Sequence, residues 1–163
     1  MSIMKNHGFV YLTLLLVLLF AGCTTQHNGT WGNAPDFTLP DLNGNSFTLS
    51  NLLGKFVVLA FVTTRCPYCL MEMEELEKVR NETGEDVAVV SIVIGDTVRN
   101  IENVYGTYVD KWIFLIDNKG VYSSYQVMGV PKIVIINQKG NIIYSNSGLT
   151  DYNFILSKIK EAG

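Results

Sequence analysis

From Ala34 onward the chain alternates short, nearly all-apolar blocks with longer segments in which charged and apolar residues take turns. Phe56–Val62 and Val87–Ile94 are continuous runs rich in β-branched residues, the pattern of strands buried on both faces in a parallel sheet. Trp112–Ile116 and Ile133–Ile136 are shorter runs of the same kind. After the first run, Cys69–Arg80 predicts a helix: Glu72, Glu74, Glu75 and Glu77 precede Lys78 and Arg80, a charge order that suits the helix dipole, and Pro67 fits the first turn. Thr97–Val109 predicts a second helix with Asp96 as its N-cap, and Gly120–Val127 one or two helical turns. Asp151 caps a final helix carrying Phe154, Ile155 and Ile159. Two hairpins are expected, Phe37–Leu39 with Ser46–Leu49 around Asn43-Gly44-Asn45, and Ile133–Ile136 with Ile142–Ser145 around Lys139-Gly140-Asn141. This order predicts an α/β domain with a mixed central sheet, helices on both faces and an N-terminal β-hairpin extension.

Ahead of Ala34 the pattern differs. Met1–Gly8 carries Lys5 and His7 and no acid, and an apolar run from Phe9 to Ala21 follows, broken only by Thr13. That run is shorter than the roughly 20 residues that span a bilayer and ends in Ala21-Gly22, so residues 1–22 read as a signal peptide. Leu19-Phe20-Ala21-Gly22-Cys23 resembles a bacterial lipobox, which makes Cys23 the lipidation site; Phe20 departs from that pattern, and ordinary secretion or an uncleaved anchor are the other readings. All three put the domain outside the cytoplasm, in the cell envelope. Several acyl chains on one cysteine would hold it stably on a membrane face. Residues 23–33, polar and glycine-bearing, read as a flexible tether, and residues 34–163 as one folded domain. Asn28-Gly29-Thr30 and Asn81-Glu82-Thr83 match the glycosylation pattern, which a lipobox-bearing chain has no use for.

Composition narrows the function. The 163 residues are 48% hydrophobic and 17% charged, enough apolar material for a core and right for one domain. A net charge of −3 with no basic patch argues against nucleic acid as a partner. Of three cysteines, one is the lipobox residue, and both histidines, His7 and His27, precede the domain. No metal site is expected from so few ligands.

What remains is the pair in Cys66-Pro67-Tyr68-Cys69, where a buried strand ends and a helix begins. Unpaired N–H groups and the dipole at a helix N-terminus favour thiolate, so Cys66 is expected to have a lowered pKa and to be the nucleophile. Cys69, one turn on, can attack a mixed disulfide at Cys66 and close an intramolecular bridge. Arg65 adds a neighbouring cation or is a solvated charge. A redox-active Cys66–Cys69 disulfide then serves in place of a cofactor; an inert bridge is the plainer alternative. Cys69, Glu72, Leu76 and Val79 share one helix face, which places a carboxylate on an apolar stripe. Partial burial would raise its pKa and let it exchange a proton with Cys69, whereas solvation with Glu74, Glu75 and Glu77 would leave it idle.

The Ala34-Pro35-Asp36-Phe37 opening, the Asn43-Gly44 turn, the CxxC after a strand and Gly129-Val130-Pro131 before Ile133 together resemble the thioredoxin superfamily, most closely the membrane-tethered TlpA/ResA-like thiol-disulfide oxidoreductases. The resemblance runs from Ala34 nearly to the C-terminus. It implies that Pro131 is cis and faces the dithiol and that the Val130 backbone pairs with an extended substrate, with Pro67 and Tyr68 completing the contact surface. On its residues alone, Pro131 could be a strand-start proline. Glu72 matches the active-site glutamate of the ResA-like enzymes by its distance from the second cysteine. The implied partners are protein disulfides, often of apocytochrome c, a membrane electron donor, and the membrane through the anchor; a monomer is expected. Ala60 stands where thioredoxins carry a buried aspartate, and Arg65 where they carry tryptophan, which puts partner choice in doubt.

Two other functions fit less well. A peroxiredoxin shares the opening and has a threonine three residues before its cysteine, as Thr63 is, but Leu59 occupies its motif's proline position. A copper-binding or scaffold lipoprotein lacks the histidine and the longer cysteine spacing. Pro67, Tyr68 and Arg65 would favour an oxidising dithiol, while the resemblance points to a reductase, the reading preferred here. Trp112, Tyr122 and Tyr125 read as packing residues.

Overall fold

A computed structural model describes residues 32–163. The expected signal peptide, Cys23 and nearly all of the tether lie outside the described residues. At the start of the described residues, the Gly32 carbonyl accepts the Ile142 N–H at 3.1 Å and the Ala34 N–H donates to the Gly140 carbonyl at 2.9 Å.

A small antiparallel hairpin, β1 (Thr38–Pro40) and β2 (Ser46–Thr48), leads through a short 3-10 turn at Leu49–Leu52 into a five-stranded sheet. Its strands are β3 (Phe56–Val62), β4 (Val87–Ile94), β5 (Ile113–Asp117), β6 (Lys132–Ile136) and β7 (Ile142–Ser147), in the order β5-β4-β3-β6-β7. β3, β4 and β5 run parallel, and β6 and β7 are antiparallel to their neighbours. The helices are α1 (Pro67–Thr83), α2 (Val98–Tyr105), α3 (Val121–Ser124) and α4 (Tyr152–Ala162).

The central strand is buried along its whole length because both faces are covered. Phe56, Val58, Ala60 and Val62 pack with Met73, Leu76 and Val79 of α1, Ile101 and Tyr105 of α2 and Ile155 of α4. Val57, Leu59 and Phe61 pack beneath the hairpin, with Leu39, Leu49, Val121 and Tyr125. Burying a side chain of this size is worth roughly 1.5–3 kcal/mol, so β3 is the anchor to which the site is attached. Helices flank both faces as expected, but unequally: the three long ones share one face, and the other is closed by α3, the 3-10 turn and the hairpin.

Boundaries differ from the sequence reading in three informative places. The first helix starts at Pro67 because Cys66 already serves as its N-cap residue. The second is capped by Thr97, not Asp96: Thr97 Oγ1 accepts the Asn100 N–H at 3.3 Å, while the Asp96 carboxylate accepts the Thr97 N–H and is drawn outward to Thr64. That helix stops at Tyr105 rather than Val109, the chain passing into turns in which the Tyr108 and Val109 N–H groups share the Tyr105 carbonyl. Among the residues read as packing, Trp112 stacks on Phe114 and donates its indole N–H to buried Ser91 at 2.9 Å, Tyr125 reaches the Pro35 carbonyl, and Tyr122 is exposed.

Candidate active site

β3 delivers the chain to the turn Thr63–Cys66, and α1 carries it away. Cys66 has extended backbone (φ −106°, ψ 113°), its N–H bonds back to the Thr63 carbonyl at 3.4 Å, and its own carbonyl accepts the Cys69 N–H at 3.0 Å. Pro67 occupies the first helical position, where a missing N–H costs nothing. This local geometry puts the two sulfurs together at the carboxyl end of the central strand. Both are free thiols; Cys66 is half-buried, and Cys69 lies completely buried behind it, hydrogen-bonded to it.

The far side of the site comes from the segment before β6. The Val130–Pro131 peptide is cis, and the Val130 carbonyl accepts the Cys66 thiol at 3.6 Å. Pro131 is therefore both cis and the residue before a strand. Its carbonyl accepts the Gly148 N–H at 2.7 Å, which ties it to the loop leading into α4.

Glu72 is fully buried in α1, one turn beyond Cys69. The Thr150 N–H donates to its Oε2 at 3.0 Å, while Oε1 is buried with no hydrogen-bond partner among the described residues. Burial pushes the Glu72 carboxyl up to about 7; the Thr150 N–H opposes that rise and Glu75 adds to it. Burial likewise pushes the Cys69 thiol up to about 12, helped by its hydrogen bond to Cys66 and the nearby Cys66 and Glu72, against a backbone hydrogen bond from Thr63. Of the neighbouring acids, Glu75 accepts the Tyr152 N–H at 2.9 Å, so two carboxylates of α1 hold the start of α4.

The structure thus brings Cys66, Cys69, Glu72, Val130 and Pro131 into one site. Tyr68, 62% exposed, stands on the surface beside it, and Arg65 is also exposed. Two participants escaped the sequence reading. Lys132, directly after Pro131, is buried, its ammonium donating to the Tyr125 and Gln126 carbonyls at 2.9 and 3.0 Å. Tyr105 is buried with its hydroxyl on the Thr63 carbonyl at 2.7 Å. A lysine opening an apolar strand was a visible signal for the first, and the Ile101/Tyr105 spacing for the second. Among the described residues, no three His, Cys, Asp or Glu are grouped so as to hold a metal ion, and no helix is long and apolar enough to cross a membrane.

A buried strand ending in a helix-capping dithiol opposite a cis-proline defines a thioredoxin-like protein. Residues 32–145 match the AhpC/TSA family, and the chain belongs to it. It is 36% identical over 112 residues to the thioredoxin-like protein YneN of Bacillus subtilis strain 168, covering 67% of this chain and 66% of that protein. It is 30% identical over 152 residues to the thiol-disulfide oxidoreductase ResA of Geobacillus kaustophilus strain HTA426, covering 85% and 86%. Among solved structures it resembles the exposed lipoprotein thioredoxin of Streptococcus pneumoniae strain TIGR4, with a TM-score of 0.68 and 26% identity over 78% of this chain and 99% of that one. Within its family the chain is an enzyme of the thiol-disulfide oxidoreductase class.

Proposed function

We propose that this enzyme reduces protein disulfides outside the cytoplasm, with Cys66 as nucleophile, Cys69 as resolving thiol and Glu72 as the group that takes the Cys69 proton. The Cys66 thiolate attacks one sulfur of a client disulfide; the client S–S bond breaks, and its other sulfur leaves as a thiolate that takes up a proton. Cys69 then passes its proton to Glu72 and attacks the Cys66 sulfur, releasing the second client thiol and closing Cys66–Cys69. Two electrons and two protons from a membrane dithiol donor restore the pair. An extended client segment lies along Val130 and Pro131, with Pro67 and Tyr68 beside it.

The observation that carries this reading is the juxtaposition of Cys69 and Glu72 in one buried slot. A resolving thiol held at about 12 needs a base, and a carboxyl held at about 7 is one at neutral pH. The same burial favours reduction as the direction, because a Cys69 kept protonated withholds thiolate stabilisation from the reduced state, which makes the couple more reducing. The signal sequence and lipobox support residues 1–22 as a leader, Cys23 as the lipid anchor, and 34–163 as a domain held at the envelope membrane. Apocytochrome c is the client the family resemblance suggests.

Equilibration of the reduced protein with glutathione disulfide tests the direction. A reductase transfers its electrons almost completely and ends as the Cys66–Cys69 disulfide; a dithiol that stays reduced in an oxidised glutathione pool excludes the role.

A further inference from the structure

The catalytic steps above use nothing from α2, yet that helix reaches the turn that carries the nucleophile. Tyr105, its last residue, is fully buried and packs against Phe114 with ring centroids 6.0 Å apart. A phenol at that depth needs a partner for its hydroxyl. The one it has is the Thr63 carbonyl, at 2.7 Å, the same oxygen that accepts the Cys66 N–H. One residue further on, the Thr64 hydroxyl donates to the Asp96 carboxylate. Asp96 is itself fixed by the Thr97 N–H at 2.8 Å and the Asn100 amide at 2.7 Å. Two successive residues at the head of the turn are thus pinned by one segment, 96–105. The turn's own closure is a long 3.4 Å bond, and Arg65 within it is exposed, so this external hold is what limits its movement.

We infer that Tyr105 and Asp96 are positioning residues for the dithiol: they fix the Thr63–Cys66 turn so that the Cys66 sulfur stays against Cys69 and beneath the Val130 carbonyl. The inference rests on the dithiol being the working group. Thr63 meets both cysteines, its carbonyl receiving the Cys66 N–H and its backbone hydrogen-bonding the Cys69 sulfur, so a hydroxyl that holds this residue fixes the one backbone unit the two sulfurs share.

The test is Tyr105→Phe in the full chain, which keeps the ring and deletes one hydroxyl, leaving the Thr63 carbonyl still bonded to Cys66. Cys66 is loaded with a nitrothiobenzoate group, and its release by Cys69 is timed across pH, a measurement that needs no client protein. Displacement slowed about threefold to tenfold at every pH is expected, with the bend near neutrality left in place, at unchanged circular dichroism. Asp96→Asn, at a half-buried position and one residue further from Cys66's own hydrogen bond, should slow the same step less. Displacement rates equal to the parent's across pH in both variants, with or without a lower melting temperature, overturn the inference. The reductase reading is tested separately: a dithiol that resolves the adduct normally in the parent but leaves protein disulfides oxidised would sink that reading and leave the positioning role standing.

Discussion

The Thr150 N–H donates to Glu72 Oε2 at 3.0 Å across 78 residues of sequence, so the acid on the first helix is also the fastening of the loop before the last one. The proton transfer proposed for Glu72 and its structural role are therefore coupled, and pH reads both.

Stability should respond to Glu72 in a definite sense. Its carboxyl has a pKa of about 7 folded against 4.5 unfolded, so the folded chain binds that proton more tightly. The resulting stabilisation is complete below pH 4.5 and is lost as pH rises through 7, a change of about 3 kcal/mol from this one group. Glu72→Gln keeps an oxygen for Thr150 and removes the proton. The variant should be more stable than the parent above pH 7, by about 1–3 kcal/mol, and should lose the parent's slope at lower pH. Urea unfolding across the range measures this, and two parallel stability curves would show that the buried carboxyl is not the titrating group.

The two cysteines should fail differently. Cys66→Ser removes the attacking sulfur and should abolish exchange. Cys69→Ser leaves the attack intact and removes the neighbouring thiol that resolves it, so mixed disulfides with client proteins should accumulate, visible as adducts on non-reducing gels. Equal loss without trapped adducts contradicts the assignment. Peroxide consumption that needs Cys66 and is indifferent to Cys69 would point instead to a thiol peroxidase.

Resolution of the Cys66 adduct should itself follow Glu72. Below pH 7 the carboxyl is protonated and cannot take the Cys69 proton, so the first-order rate should climb about tenfold per unit and level off near pH 7. In Glu72→Gln the bend should vanish and the rate above neutrality fall by about a hundredfold. A bend that persists in the variant assigns it to another group.

Much of this site could be read in the sequence, for a physical reason. Strands buried on both faces must be apolar throughout, and β3 and β4 declare their limits to the residue. Glu72 could be placed because helical spacing fixes which residues share a face. The Asp96 boundary could not, since Asp and Thr both cap well and the choice fell to a partner, Thr64, 32 residues away. Tyr105 and Lys132 were missed for the same cause. Each acts through a backbone carbonyl of a distant or folded-back segment, Thr63 in one case and Tyr125 and Gln126 in the other, and a carbonyl leaves no mark on the residue type that supplies it.

Lys132 gives the last prediction. Its side chain shares the hairpin face of the sheet with its strand neighbour Phe61, and burial holds its ammonium below the ordinary lysine range. It spends two of its three donors on the Tyr125 and Gln126 carbonyls, where Gln126 adopts a positive φ of 52°. The loop from Gln126 to Pro131, which brings the Val130 carbonyl to Cys66, is thereby closed on itself through one side chain. Lys132→Met fills the same slot without donors and leaves both carbonyls unpaired, at a cost of about 1–3 kcal/mol. The loop should loosen, raising KM for a protein disulfide several-fold while displacement of a small adduct from Cys66 by Cys69 stays near the parent rate. A variant with unchanged unfolding free energy and unchanged KM would show that the ammonium holds nothing the substrate touches.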